Sequence, residues 1–184
     1  MTYIKKKADS SAQIKGNKNA TKSIYTERRK ICLDNFIKIC LNKQIKLQIS
    51  DDVRKNITDS RSLLESFVDE KRVIYGVNTS LGGFVNILVP VEFAEQLQNN
   101  LINSVATNVG EYFDDSIVRA IMLTRIISLS KGVSAISLEN FFIFTEMFNN
   151  EIYPLIPKKG SLGASGDLGP LACIALAATC PPNK

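Results

Sequence analysis

Gly160-Ser161-Leu162-Gly163-Ala164-Ser165-Gly166-Asp167-Leu168-Gly169-Pro170 is a glycine-rich stretch running into an apolar segment, and at its centre lies the triplet Ala164-Ser165-Gly166. Attack of the Gly166 amide nitrogen on the Ala164 carbonyl carbon would close a five-membered ring. Loss of that oxygen as water, and then of the Ser165 hydroxyl as a second water, leaves an exocyclic carbon–carbon double bond, an electrophile made from backbone. Each residue type suits the step. Glycine has no Cβ to obstruct a bent approach, alanine leaves the attacked carbonyl accessible, and serine carries the hydroxyl that must depart. Asp167 and Pro170 are a cap and a first-turn proline for an apolar helix over 171–179. The amide donors and partial positive charge of that helix start would face developing negative charge. From the local pattern alone, an ordinary Gly/Pro-punctuated loop before a buried helix is the plainer reading.

Working outward, glycines at 76, 82 and 83 with little helical periodicity mark a second loop, over 73–89. Pro90 opens a helix in which Ala94, Leu97, Leu101, Ile102 and Val105 recur at helical spacing, with Gly110 at its C-terminal position. Asp114 or Asp115 caps a further helix reaching Ser130 and stopped by Gly132, and Ser137 with Glu139 starts another that runs to about Phe148. Nearer the N-terminus, Ser50 reads as an N-cap, with Asp51 and Asp52 in the first turn and Val53, Ile57, Leu64 and Phe67 facing inward. Residues 46–49 read as a short strand. A helix beginning after Thr26 is expected to gather Ile31, Phe36, Ile37, Cys40 and Leu41 on one face. The chain is therefore expected to be mainly α, with a few short strands.

Composition narrows the function. The 184 residues are 45% hydrophobic, enough for one domain-sized core. The net charge of +5 is uneven: residues 1–60 hold 14 Lys/Arg against 6 Asp/Glu, and residues 61–184 hold 9 against 12. The basic surplus thus belongs to a polar, lysine-rich tail over 1–24, expected to be disordered, and no nucleic-acid or membrane partner is expected. The tail lacks the apolar core of a signal peptide, and the longest strongly apolar run, 171–178, is too short to span a bilayer. Cys32, Cys40, Cys173 and Cys180 show no metal-type spacing and read as buried thiols of a cytoplasmic protein. The absence of histidine excludes His-based triads and His-ligated metal sites within this chain.

A second constellation changes the balance: Tyr75-Gly76-Val77-Asn78-Thr79-Ser80-Leu81-Gly82-Gly83-Phe84, followed by Leu97-Gln98-Asn99-Asn100-Leu101. With the 160–170 stretch, in this order and separation, it resembles the phenylalanine/histidine ammonia-lyase family of aromatic amino acid ammonia-lyases and 2,3-aminomutases. The resemblance covers about 61–178. It implies that Ala164, Ser165 and Gly166 form a 4-methylidene-imidazole-5-one (MIO) autocatalytically, and that Tyr75 is the catalytic base for the substrate β-proton. The pairing makes chemical sense, because an amine leaves poorly and a β-proton is very weakly acidic. One group must capture the amine while another removes the proton. A tyrosine serves as that base only where its surroundings favour the phenolate, as a helix N-terminus does. Backbone at Gly82 would border the substrate, with Gly83 disturbing the usual spacing by one position.

The positions matching Ser104 and Val105 carry a histidine in histidine- and tyrosine-selective members. Neither is histidine here, which favours phenylalanine, an apolar ring being easily buried in such a pocket. Ser104 leaves tyrosine open, and it can equally be a residue on a helix face. The run Thr79-Ser80-Leu81-Gly82-Gly83-Phe84-Val85-Asn86 departs from the usual lyase form and resembles bacterial phenylalanine 2,3-aminomutases. The resemblance therefore implies conversion of L-phenylalanine to β-phenylalanine via cinnamate, with release of cinnamate and ammonia by a lyase as the alternative.

Family members are several times longer, continue into a central helical bundle and assemble as homotetramers. Their substrate-carboxylate arginine and further site residues lie beyond the part matched here. The expected organisation is a tail over 1–24, a truncated N-terminal MIO-bearing domain of the ammonia-lyase fold over 25–180, and a non-family end over 181–184 where Pro181 and Pro182 stop the helix. A chain of this length is expected to be inactive alone. A non-catalytic module pairing with a full-length homologue, or an interaction protein using the basic tail, are the competing readings.

Overall fold

The computed structural model describes residues 24–25, 31–163 and 166–179. Residues 1–23 of the expected tail, the triplet residues Ala164 and Ser165, and the end from Cys180 onward lie outside the described residues. Six helices carry the fold among those described: α1 (Leu33–Leu41), α2 (Asp51–Asp69), α3 (Val91–Val105), α4 (Asp115–Leu129), α5 (Leu138–Asn149) and α6 (Leu168–Thr179). A single 3₁₀ turn occupies Gly82–Phe84. Strand β1 (Ile24–Tyr25) pairs in parallel with β2 (Leu47–Gln48), and β3 (Val109–Tyr112) pairs antiparallel with β4 (Pro157–Lys159). No helix among the described residues is long and apolar enough to cross a membrane.

Helix starts follow the capping chemistry of the sequence. Ser50 Oγ accepts the Val53 N–H at 3.4 Å, and Ser137 Oγ accepts that of Asn140 at 3.2 Å. Asp51, Asp52 and Glu139 then place negative charge in first turns. The turn after α4 is closed by Gly132, at φ +65°, where a Cβ would stand 2.6 Å from the Cβ of Asn56 in α2. Conformation and close approach both require glycine there.

Helix α4 is the central element. Val118, Met122, Leu123, Ile126 and Leu129 are buried at helical spacing, against α1 and α5. Beside them the guanidinium of Arg119 is fully buried, with no carboxylate partner among the described residues. Its Nε donates to the Ile39 carbonyl (3.0 Å), its Nη2 to that of Ile45 (2.9 Å), and its Nη1 to the Phe148 carbonyl and the Tyr153 hydroxyl (both 3.2 Å). The cation also lies 3.8 Å from the centre of the Phe148 ring. Burial pushes the Cys40 thiol pKa up, and the Arg119 charge draws it partly back. A second polar fastening joins β2 to α5. The Asn149 side chain accepts from Leu47 N–H (2.8 Å) and donates to Leu47 C=O (3.0 Å), as a neighbouring strand would.

Four expectations are corrected. Helix α1 starts at Leu33, leaving Ile31 outside it, and buries Ile39 and Cys40 while Ile37 and Leu41 are exposed. Contact with α4 and with Arg119 rotates the helix about its axis from the face that periodicity alone chose. Gly110 does not end α3, which stops at Val105; it lies in β3 at φ +91° because the β3–β4 ribbon takes the chain there. The strand expected over 46–49 is limited to Leu47–Gln48. Cys40 and Cys173 are buried, whereas Cys32 is exposed at the N-cap of α1, outside that helix's packed face.

Replacing Arg119 by methionine would remove every donor from acceptors that water reaches poorly. Arg119→Met is expected to destabilise the 184-residue chain by about 3 kcal/mol or more, from unpaired buried acceptors at ~1–3 kcal/mol each. Arg119→Lys should fall between, because an ammonium has fewer donors and no planar face. Urea denaturation followed by circular dichroism tests this, and equal midpoints for the wild type and Arg119→Met would refute it.

Candidate active site

The loop after α2 is braced by its own side chains. Asn78 Oδ1 accepts the Ile74 N–H at 2.7 Å, while Asn78 Nδ2 donates to the Arg72 carbonyl at 2.6 Å. The buried Thr79 hydroxyl accepts the Gly76 N–H at 3.1 Å. Gln98, on α3, donates from Nε2 to the Gly76 carbonyl at 3.1 Å, so the loop is tied to the helix behind it. A bridge between Thr79 and Leu88 closes its far side. Gly76 takes φ +72°, and a Cβ there would come within 3.2 Å of the Leu81 side chain.

This bracing presents Tyr75 to solvent, with 60% of its surface exposed. Its hydroxyl accepts the Gly82 N–H at 3.2 Å. Gly82 has φ +58°, and a Cβ there would meet nothing within 4 Å, so glycine serves the backbone conformation rather than a tight fit. The structure thus brings together the tyrosine and one of the two adjacent glycines that the sequence left uncertain by a position.

The other loop leads from β4 into α6. Ser161 Oγ donates to Asp167 Oδ1 at 3.1 Å, and the Asp167 carbonyl accepts the Leu171 N–H at 3.3 Å. Gly166 stands immediately before the helix at φ +95°, again with open space around the position a Cβ would take. That backbone region suits glycine. Of the triplet, the described residue Gly166 has a backbone conformation and an open side that fit the ring-closing position, two residues before α6; Ala164 and Ser165 lie outside the described residues. Beside the loop is a cavity of about 560 Å³, lined by Asn108, Arg125, Lys158, Ser161, Asp167 and Leu171 among others.

Ser104 and Val105 end α3, which packs against α6. Val105 is half-buried. Ser104 is exposed, and its hydroxyl donates to the Leu101 carbonyl of its own helix at 2.8 Å. The two loops are joined through α3 and α6; among the described residues no hydrogen bond connects Tyr75 to Gly166, Ser104 or Val105. Asn78, Thr79, Gln98 and Asn108 were not singled out from the sequence. Asn78 and Thr79 bond within their own loop, whereas Gln98 and Asn108 bond to distant segments.

Residues 31–182 match the family model described as aromatic amino acid lyase. The fold is similar to that of a phenylalanine aminomutase from Pantoea agglomerans, at 55% identity and a TM-score of 0.78, covering 84% of this chain and 29% of that one. It is also similar to a tyrosine aminomutase from Streptomyces globisporus, at 27% identity and a TM-score of 0.76, covering 83% and 28%. Histidine ammonia-lyase of Shouchella clausii is 46% identical over 120 residues, 65% of this chain and 24% of the relative. The chain belongs to the aromatic amino acid lyase family, has the ammonia-lyase fold as a partial chain, and spans about a quarter of the length of the curated relatives it matches.

Two substitutions separate bracing from chemistry. Asn78→Ala is expected to cost about 2 kcal/mol, because a backbone donor and acceptor lose their partners. Tyr75→Phe should change stability by less than about 0.5 kcal/mol, its exposed hydroxyl making one long hydrogen bond. Urea midpoints of both variants check this, and a Tyr75→Phe chain as unstable as Asn78→Ala would make the tyrosine a structural residue.

Proposed function

We propose that this chain is the MIO-bearing part of an aromatic amino acid 2,3-aminomutase acting on L-phenylalanine, and that it is inactive alone. The observation that carries the reading is the exposed Tyr75 hydroxyl held against the Gly82 N–H, on a loop tethered to the helix that packs beside α6. Ala164, Ser165 and Gly166 would hold the MIO, whose chemistry is to take the substrate amine as an electrophile. Tyr75, as the phenolate, removes the β-proton. The Gly82 N–H, donating to the Tyr75 oxygen, orients it. The amide donors at the start of α6 favour negative charge that develops near the triplet. Val105 offers an apolar contact to the substrate ring, and Ser104, already bonded within its helix, offers an imidazole or phenol less than a free hydroxyl would.

Two observations support a mutase acting on phenylalanine: the absence of histidine at Ser104 and Val105, and the 55% identity to a phenylalanine aminomutase. The identity to histidine ammonia-lyases supports a lyase releasing cinnamate and ammonia as the second reading. Inactivity of the chain alone is supported by its share of the relatives' length. Large exposed apolar side chains near the loops, including Phe84, Ile87, Leu88, Phe93 and Leu162, point the same way.

The test has two arms. Residues 1–184 are expected neither to lose the mass of two water molecules nor to convert L-phenylalanine. A chimera supplying the remaining helices from the Pantoea agglomerans aminomutase should show the dehydrated mass and yield β-phenylalanine. Tyr75→Phe in the chimera should lower turnover by about 10²–10⁴-fold, the usual worth of a general base. Product from the 184-residue chain would overturn its inactivity. Release of cinnamate alone would overturn the mutase reading, and preferential turnover of histidine would overturn the substrate.

A further inference from the structure

Asn108 precedes β3, opposite the place where the chain leaves β4 for the triplet loop. The residue touches both ends of that loop. A Cβ on Gly160 would stand 3.2 Å from Asn108 Cα, and a Cβ on Gly169 would stand 2.0 Å from Asn108 Oδ1 and 2.8 Å from Cγ. The Asn108 amide orientation is fixed chemically, because Nδ2 donates to the Pro157 carbonyl at 3.1 Å and a carbonyl can only accept. Oδ1 must therefore point the other way, where it is buried and lacks a hydrogen-bond partner among the described residues.

Gly160 is called for by its own backbone, at φ +116°, but Gly169 becomes intelligible from the Asn108 side chain. Glycine inside a helix costs about 1 kcal/mol relative to alanine, yet Gly169 stands in the first turn of α6, which is otherwise rich in alanine and leucine. Its φ is not in the left-handed region, so conformation does not demand it. Space does: the asparagine oxygen occupies the volume that any Cβ would take.

We propose that Asn108 is a positioning residue for the triplet loop, clamping its neck between Gly160 and Gly169 so that the two ends of the loop are held together. The importance of this rests on reading Ala164-Ser165-Gly166 as a ring precursor. Ring closure needs the Gly166 nitrogen to reach the Ala164 carbonyl carbon, which an extended chain does not allow. Fixing both ends of the loop removes part of the entropy that closure would otherwise have to overcome.

Amide hydrogen exchange on the 184-residue chain, resolved by peptide mass spectrometry, tests the clamp. In Asn108→Ala, amides over 161–168 should exchange about tenfold faster, the scale of one lost hydrogen bond, while those of α4 stay unchanged. Asn108→Asp keeps the shape but presents an acceptor to the Pro157 carbonyl, and it should loosen the same peptides. Gly169→Ala should loosen them too in the presence of Asn108, but add nothing in the Asn108→Ala background. Unchanged exchange over 161–168 would overturn the proposal. So would equal acceleration in the loop and α4, the mark of a merely structural residue, and so would a Gly169→Ala effect independent of Asn108. The ring reading is judged separately by the dehydrated mass of the chimera, so either idea can fail while the other stands.

Discussion

A buried guanidinium with no acid beside it among the described residues holds this chain together. An isolated charge in a protein interior is costly, and Arg119 meets the cost by drawing its counter-charge from the backbone. The Ile39 and Phe148 carbonyls lie in the last turns of α1 and α5, where helix carbonyls carry partial negative charge, and that of Phe148 also accepts the Glu151 N–H at 3.3 Å. Ile45 and Tyr153 complete the set. One side chain on α4 therefore fixes two helix ends and the connection between α1 and β2. Its fork of fixed donors makes the arrangement directional in a way that apolar packing is not.

The site depends on that arrangement at one remove. With α5 fixed, Asn149 staples β2, and α2 follows directly from β2 with Ser50 as its cap. Helix α2 ends where the Tyr75 loop begins, and Gly132 lets the turn after α4 press on Asn56 so that α2 cannot shift. From the other side, α4 follows β3, and the β3–β4 ribbon sets the spacing between Asn108 and Gly160. Both site loops thus grow from elements anchored to α4, although neither carries a residue of the main apolar core other than the buried Thr79 near its edge.

What could be read in the sequence was what local chemistry decides. Ser50, Ser137 and the helix after Asp167 announced themselves because capping is a property of a few adjacent residues. Tyr75 and the Ala164-Ser165-Gly166 triplet were legible because reactive groups need particular residue types in particular orders. The face of α1 was misread because a partner distant in sequence, Arg119, determines it, and Gly110 because a β-ribbon rather than a helix end claims its positive φ. Asn108 gave no local signal at all, and Gln98, although part of the 97–101 motif, gave none of what it bonds. An asparagine in a connecting segment and a glutamine on a helix look like solvated residues until tertiary structure places a carbonyl or a glycine against them.

The two loops are held in different ways, and the difference follows from what each has to do. The Tyr75 loop is braced internally by Asn78 and Thr79 and from behind by Gln98, so the hydroxyl has a fixed position without any partner from the triplet. The role proposed for Tyr75 would need that, because proton removal by a base is sensitive to small displacements. The triplet loop is held mainly at its neck, with the Ser161–Asp167 contact across it. The proposed ring closure there would consume the Gly166 N–H and move the neighbouring backbone. A loop whose shape relied on that N–H would lose its own support as the ring formed. Holding the ends, with no hydrogen bond from the Gly166 N–H among the described residues, would keep the loop's support intact through such a backbone reaction.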